Sequence, residues 1–173
     1  ERNKLTFINP LSIPYIMQEV KYESLDDVQK NLLAEAEKVM ETAYNPYSKF
    51  YVGVALLSKD NEVITGSNVE SDSYGSSICA ERAALLRANA KDIRSFKKVA
   101  LIGRGEDFNT KEVTAPCGEC RQALFEFAQL TGIDFEIIMS TTKKDKIIIS
   151  TIKELLPLAL GPKDLEVDVK KYL

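Results

Sequence analysis

The sequence predicts an α/β protein: a three-layer α-β-α sandwich around a mixed five-stranded sheet. Three observations lead to that class. Helical patterns occupy three long segments, and short runs rich in β-branched residues stand between them. Their order is helix, hairpin, helix, strand, helix, strand, strand, which interposes helices between strands that then run partly parallel and need cover on both faces. A chain of 173 residues suits one domain. At that length roughly 70% of the unfolded surface is buried on folding, so neither metal nor disulfide is needed merely to fold it.

Residues 1–23 read as an N-terminal arm, because LTFINPLSIPYIM is apolar in places but is broken by Asn9, Pro10 and Pro14 and has no small-residue cleavage site. The domain proper is expected over residues 24–173. Ser24, with Asp27 three positions on, is expected to cap a helix whose apolar positions are Leu25, Val28, Leu32, Ala36, Val39 and Ala43 and which ends at Tyr44. NPYSKF (45–50) is turn chemistry, and YVGVALL and EVITGSN, separated by SKDN, form an antiparallel hairpin. Residues 78–90 carry a helical pattern that Ser76 or Ser77 can cap. KKVALIG (97–103) is a third strand, and after a loop APCGECRQALFEFA opens a helix near Pro116. FEIIMS and KIIIS supply two more strands, and Thr151 with Glu154 makes a capping box for TIKELL before the tail.

Composition removes several functions. A net charge of −3 provides no broad basic field to neutralise phosphates, which argues against a nucleic-acid polymer and for a small or neutral ligand. No apolar run approaches the roughly 18 residues of a membrane span. Histidine is absent, which excludes Ser-His-Asp and Cys-His nucleophile systems and HExxH zinc sites. Catalysis is left to carboxylates, thiolates, Lys or Tyr. The three cysteines are an odd number without the spacing of a disulfide framework, which points to a reducing, cytoplasmic compartment and to thiolate chemistry.

Those cysteines are Cys79, Cys117 and Cys120, the last two forming CxxC within PCGEC. A CxxC alone reads as half a zinc site or as a redox pair, and three buried cysteines acting as small hydrophobes are the bland alternative. Both motifs sit at predicted helix starts beside charged residues, which inert core thiols do not need. Two helix N-termini facing each other across Zn²⁺ would stabilise three thiolates. With no histidine and no fourth cysteine, the fourth position is open for water. Glu81 stands near the helix entrance, placed to move protons without ligating. Zinc with three thiolates is net −1, and the guanidinium of Arg82, bonding the sulfurs, would withdraw that charge.

CAE followed by PCxxC matches the zinc deaminase signature. From about Ala34 through Leu165 the chain resembles the small, three-cysteine cytidine deaminases of free nucleosides, with NPYSKFYVG, GSNVE, ICAERAA, PCGECRQ and KELLP–GPKDL in family order. The resemblance implies that Cys79, Cys117 and Cys120 bind zinc and that Glu81 is the proton shuttle. It implies that Asn68 and Glu70 hydrogen-bond the ribose hydroxyls, that Phe50 packs on the pyrimidine ring and that Ala80 lends backbone contacts to the base. It implies hydrolytic deamination of cytidine and deoxycytidine to uridine and deoxyuridine plus ammonia, by a zinc-activated water, in pyrimidine salvage. Relatives of this type are homotetramers with shared active sites, and FEIIMS and IKELLPLAL are apolar segments that could supply an interface.

The chain departs from the family pattern twice. It has ESDSY where relatives often read ENAxY, so Asp72 adds a carboxylate near the 5′ end of the sugar. It has Leu160 where relatives often carry Phe before GPxDL. Three rival readings remain: a blasticidin-type deaminase, which the NxE pair disfavours; a zinc-stabilised binding module, which has no use for Glu81; and a single-stranded nucleic-acid deaminase, which the acidic composition disfavours.

Overall fold

The computed structural model describes residues 17–173. Its strands are β1 (Gln18–Val20), β2 (Phe50–Ser58), β3 (Val63–Ser67), β4 (Phe96–Gly105), β5 (Glu136–Thr141) and β6 (Ile147–Thr151), and its helices are α1 (Asp27–Met40), α2 (Ala80–Ala90), α3 (Gly118–Thr131) and α4 (Ile152–Leu155). The sheet order is β1-β6-β5-β4-β2-β3. Only β4 and β5 pair in parallel, because α3 crosses between them, and every other neighbour is antiparallel.

The three layers are as expected, but among the described residues the sheet has six strands rather than five. The extra one is β1, which pairs Gln18 with Ile149 and Val20 with Ile147. It belongs to the stretch expected as an arm, whose residues 1–16 lie outside the described residues. Its signal was too short to read: three residues, mostly exposed, with no alternation to distinguish them from a connecting segment. Val20 and Tyr22 pack against the core beneath α1, and Tyr22 lies between the ammonium groups of Lys30 and Lys144 at 5.8 and 5.9 Å.

Side-chain alternation along the strands divides the core in two. Ala55, Leu57, Ala100, Ile102, Ile138 and Ile147 face α1, which answers with Leu32, Leu33, Ala36 and Met40. Val54, Leu56, Val99, Leu101, Ile137 and Met139 face α2 and α3. The cap of α1 is Asp26, not Ser24. Asp26 Oδ1 accepts from Gln29 N at 2.7 Å and the Gln29 side chain accepts from Asp26 N, a reciprocal box that outcompetes a serine two residues earlier. Ser24 instead closes a 3₁₀ turn by donating to the Lys21 carbonyl. The helix accordingly stops at Met40 rather than Tyr44, and Val28 is 45% exposed.

Close approach of both helix layers depends on missing side chains. A Cβ on Gly53 would stand 1.9 Å from the Ala36 carbonyl of α1, and one on Gly66 would stand 2.4 Å from Ala84 N and 2.6 Å from the Ala80 carbonyl of α2. Gly66 therefore sets the depth at which the first turn of α2 lies on β3. The clash is with helix backbone, which cannot rotate away, so Gly66→Ala is expected to lower unfolding free energy by about 1–3 kcal/mol. Urea denaturation followed by circular dichroism measures this, and an unchanged midpoint contradicts the packing described.

Candidate active site

Cys79 and Cys117 are themselves the N-caps of α2 and α3, with extended backbone at φ −68° and −67°, and neither side chain makes a capping hydrogen bond. The expected caps Ser76 and Ser77 lie upstream: Ser76 in a 3₁₀ turn, Ser77 accepting from Ser71 N. Cys120 sits in the first turn of α3, fully buried. The two helix N-termini thus converge on one point. All three Sγ atoms lie within 4.8 Å of one another, with Cys79 and Cys117 3.9 Å apart, and all three thiols are free.

The donor set fits zinc. A tetrahedron with arms of about 2.3 Å has corners about 3.8 Å apart, close to the 3.9 Å between Cys79 and Cys117. The thiols also hold their protons unequally. A hydrogen bond from Cys120 holds Cys79 down to about 6, helped by Cys117 and by the nearby charge of Arg82, with burial opposing. The same hydrogen bond, burial and the charge of Glu81 push Cys120 well up. One thiolate forms readily, and three coexist only around a soft cation that replaces the shared protons.

Glu81 is the second residue of α2 and is only 4% exposed. Burial pushes its carboxyl up to about 7, with the charge of Cys79 adding to the rise, against hydrogen bonds from its own backbone N–H and from Cys120. Ala80 beside it is fully buried at the helix entrance. Arg82 was expected to bond the thiolate sulfurs; its Nη1 donates to Glu119 Oε2 at 2.5 Å. Glu119 lies between the two cysteines of CxxC, and its pairing with Arg82 depends on how α2 packs beside α3, which neither motif specifies.

The NxE segment is positioned by a small ladder. Val69 bridges Tyr44 on one side and Ile78 on the other, so the segment runs between the NPYS turn and the residue preceding Cys79. Glu70 Oε2 accepts from Tyr47 N at 2.9 Å and Ser48 N at 3.1 Å. Burial raises the Glu70 carboxyl slightly, and hydrogen bonds from Ser48 and Tyr47 with the charge of Lys49 outweigh it, holding the group below the usual range. Asn68 is clasped by β2, accepting from Val52 N and donating to the Phe50 carbonyl, both at 2.9 Å. Phe50 opens β2, half-buried, on the face shared with α2 and α3. The structure brings Asn68, Glu70 and Phe50 together around the NPYS turn and ties that assembly to Cys79 through Val69. The backbone donors of Tyr47 and Ser48 were legible only as a turn.

Asp72 is exposed and turned onto its own loop, accepting from Ser71 Oγ and Ser73 N. Leu160 is 64% exposed, and its carbonyl accepts from Gln122. FEIIMS does not form an outer surface: it is the interior strand β5, with Phe135, Ile137, Ile138, Met139 and Ser140 all buried. IKELLPLAL does reach solvent, with Leu158 fully exposed. No helix among the described residues is long and apolar enough to cross a membrane.

A family model described as the cytidine and deoxycytidylate deaminase zinc-binding region matches residues 26–133. A cytidine deaminase of Sporosarcina psychrophila is 40% identical over 139 residues, covering 80% of this chain and 95% of that protein. A probable cytidine deaminase of Dictyostelium discoideum is 38% identical over 138 residues, covering 76% of this chain and 87% of that protein. Among solved structures, the cytidine deaminase of Burkholderia pseudomallei superposes with a TM-score of 0.68 at 37% identity, covering 76% of this chain and 98% of that one.

The thiol cluster has a direct chemical signature. Zinc-loaded protein is expected to resist a thiol-modifying disulfide reagent, and chelation is expected to expose three reactive thiols per chain and to lower the urea midpoint. Three thiols equally reactive with and without zinc would show that the cluster does not hold the metal.

Proposed function

The chain belongs to the cytidine and deoxycytidylate deaminase family, and on that premise we propose that it hydrolyses free cytidine and deoxycytidine to uridine and deoxyuridine with release of ammonia. The observation that carries this reading is Glu81: a carboxyl 4% exposed and pushed up to about 7, two residues from Cys79 at the mouth of the thiol cluster. A binding module has no use for a buried group poised to exchange a proton near neutral pH.

Cys79, Cys117 and Cys120 would hold zinc, which when bound supplies the Lewis acidity that makes water a nucleophile at neutral pH. Glu81 takes a proton from the attacking water and delivers it to N3 of the ring as the new C4–O bond forms. It then takes the remaining proton from the new C4 hydroxyl and delivers it to N4, and the C4–N4 bond breaks to release ammonia as the C4 carbonyl forms. Such relays suit a carboxyl whose charged form burial disfavours. Arg82, bridged to Glu119, contributes positive charge beside Cys79 and so moderates the negative charge of the thiolates.

Phe50 packs against the pyrimidine, and Ala80, at the first turn of α2, offers its backbone to the base. Glu70 is an ionised acceptor immobilised by Tyr47 and Ser48, suited to the ribose hydroxyls. Asn68 shapes this end of the pocket through its hold on β2 and presents its remaining amide capacity to the sugar. Lys49 is the basic neighbour that lowers Glu70, a single charge rather than a phosphate-binding cluster, so a nucleoside fits better than a nucleotide.

The enzyme is cytoplasmic in this reading, since three reduced thiols are required. It is a homotetramer with shared active sites, for which the exposed Leu158 and Leu160 beyond α4 supply apolar surface.

Purified Glu81→Gln protein is expected to keep its zinc and its urea midpoint while cytidine turnover, followed by ammonia release, falls at least about 10²-fold. Sedimentation of the same samples is expected to show tetramers for both proteins. Retained turnover in Glu81→Gln, or a wild-type protein that carries zinc and releases no ammonia from either nucleoside, contradicts the assignment.

A further inference from the structure

Of the three sulfur ligands, Cys117 is the one that packing holds least. Cys120 is fully buried in the first turn of α3, whereas Cys117 is exposed at the cap of that helix. Cys79 is also a cap, but the residue before it is held by a backbone pair: Ile78 N donates to the Val69 carbonyl at 2.8 Å and Val69 N to the Ile78 carbonyl at 2.9 Å. The approach to Cys117 has no such ladder. Among the described residues, no backbone–backbone hydrogen bond involves residues 111–116.

Arg121 supplies at Cys117 what the ladder supplies at Cys79. Its Nε donates to the Pro116 carbonyl at 2.9 Å, and its backbone N donates to the Cys117 carbonyl at 2.9 Å. One residue therefore holds the peptide planes on both sides of Cys117, and between two fixed planes the Cα–Cβ bond that carries the sulfur has a set direction. The guanidinium is anchored in turn. Its Nη1 donates at 3.1 Å to the carbonyl of Leu155, the last residue of α4, where helix carbonyls lack an intrahelical donor. Gln122, the next residue, donates from Nε2 to the Leu160 carbonyl at 2.9 Å. Two consecutive side chains of α3 thus latch the chain beyond α4 onto the helix that carries Cys117 and Cys120. A planar fork with donors in fixed directions can span the Pro116 and Leu155 carbonyls at once, which a single ammonium on a flexible stem does poorly.

We propose that Arg121 is a positioning residue for the metal centre, holding the backbone on both sides of Cys117 so that its sulfur meets zinc. This rests on the three-cysteine zinc site and not on the reaction proposed for it. Groups that orient a metal ligand without touching the metal commonly account for about 10–100-fold in metal affinity. The loss on removing Arg121 falls on Cys117, because Cys79 keeps its backbone pair and Cys120 its burial.

The test compares Arg121→Met, which keeps the aliphatic stem and removes every donor, with Arg121→Lys, which keeps the charge and one nitrogen. Ile147→Val, a truncation in the core beneath α1, controls for lost stability. Each protein is assayed for folding by circular dichroism and for zinc affinity by competition with a chromophoric chelator. Peptide mass spectrometry measures how fast a thiol reagent labels each cysteine of the zinc-loaded protein. Arg121→Met is expected to bind zinc at least about tenfold more weakly and to speed labelling of Cys117 more than of Cys79 or Cys120, with Arg121→Lys falling between it and wild type. Ile147→Val is expected to match wild type in both readouts. Unchanged zinc affinity in folded Arg121→Met overturns the proposal. So does equal acceleration at all three cysteines, or the same loss in Ile147→Val, because Arg121 would then serve only the fold. Should Arg121→Met not fold, Arg121→Lys decides: weaker zinc with Cys117 most accelerated supports the proposal, and wild-type affinity and protection overturn it. A wild-type protein that holds zinc and releases no ammonia from cytidine sinks the proposed reaction and leaves these readouts to decide on Arg121; one that holds no zinc overturns both.

Discussion

The meeting of two helix N-termini at three sulfur atoms is the constraint on which the other parts of the molecule depend. Cys79 and Cys117 occupy cap positions where a Ser, Thr, Asp or Asn would satisfy the first backbone N–H groups, and neither makes such a bond. The capping energy is forgone, and what replaces it is an array of N–H groups and positive dipole ends directed at thiolates. A hydrogen bond from Cys120 lowers Cys79 and raises Cys120, so the three sulfurs share protons that a thiophilic cation such as zinc would displace.

Bringing those termini together is the work of the sheet. The crossover through α3 makes β4 and β5 parallel and returns the chain so that α3 lies next to α2 on one face. Gly66 lets the first turn of α2 down onto β3, which fixes the height of Cys79 and Glu81 together. Val69 then ties the NxE segment both to the turn after α1 and to the residue before Cys79. The Asn68–Glu70 segment and the thiol cluster are thus joined by backbone pairing rather than by flexible side chains, the kind of preorganisation a reacting geometry needs.

The placement of the site's thiols and carboxyl at two helix entrances was legible in the sequence because it is local. CAE and PCGEC place thiols and a carboxylate by helix geometry alone, and the absence of histidine narrows what they can do. The alternating strands and the Thr151–Glu154 box were legible for the same reason. What depended on partners distant in sequence was not. β1 exists because β6 offers it an open edge. FEIIMS is interior because β4 and β6 flank it. Arg82 turns to Glu119 across 37 residues.

The central claim is that Cys79, Cys117 and Cys120 hold one zinc ion and leave one coordination position for the reaction. X-ray absorption at the zinc edge of the purified protein counts the ligands directly. The account predicts three sulfur scatterers at about 2.3 Å and one lighter oxygen or nitrogen neighbour at about 2.0–2.1 Å. Four sulfur neighbours, as in a closed site assembled between chains, or a shell without sulfur would contradict it.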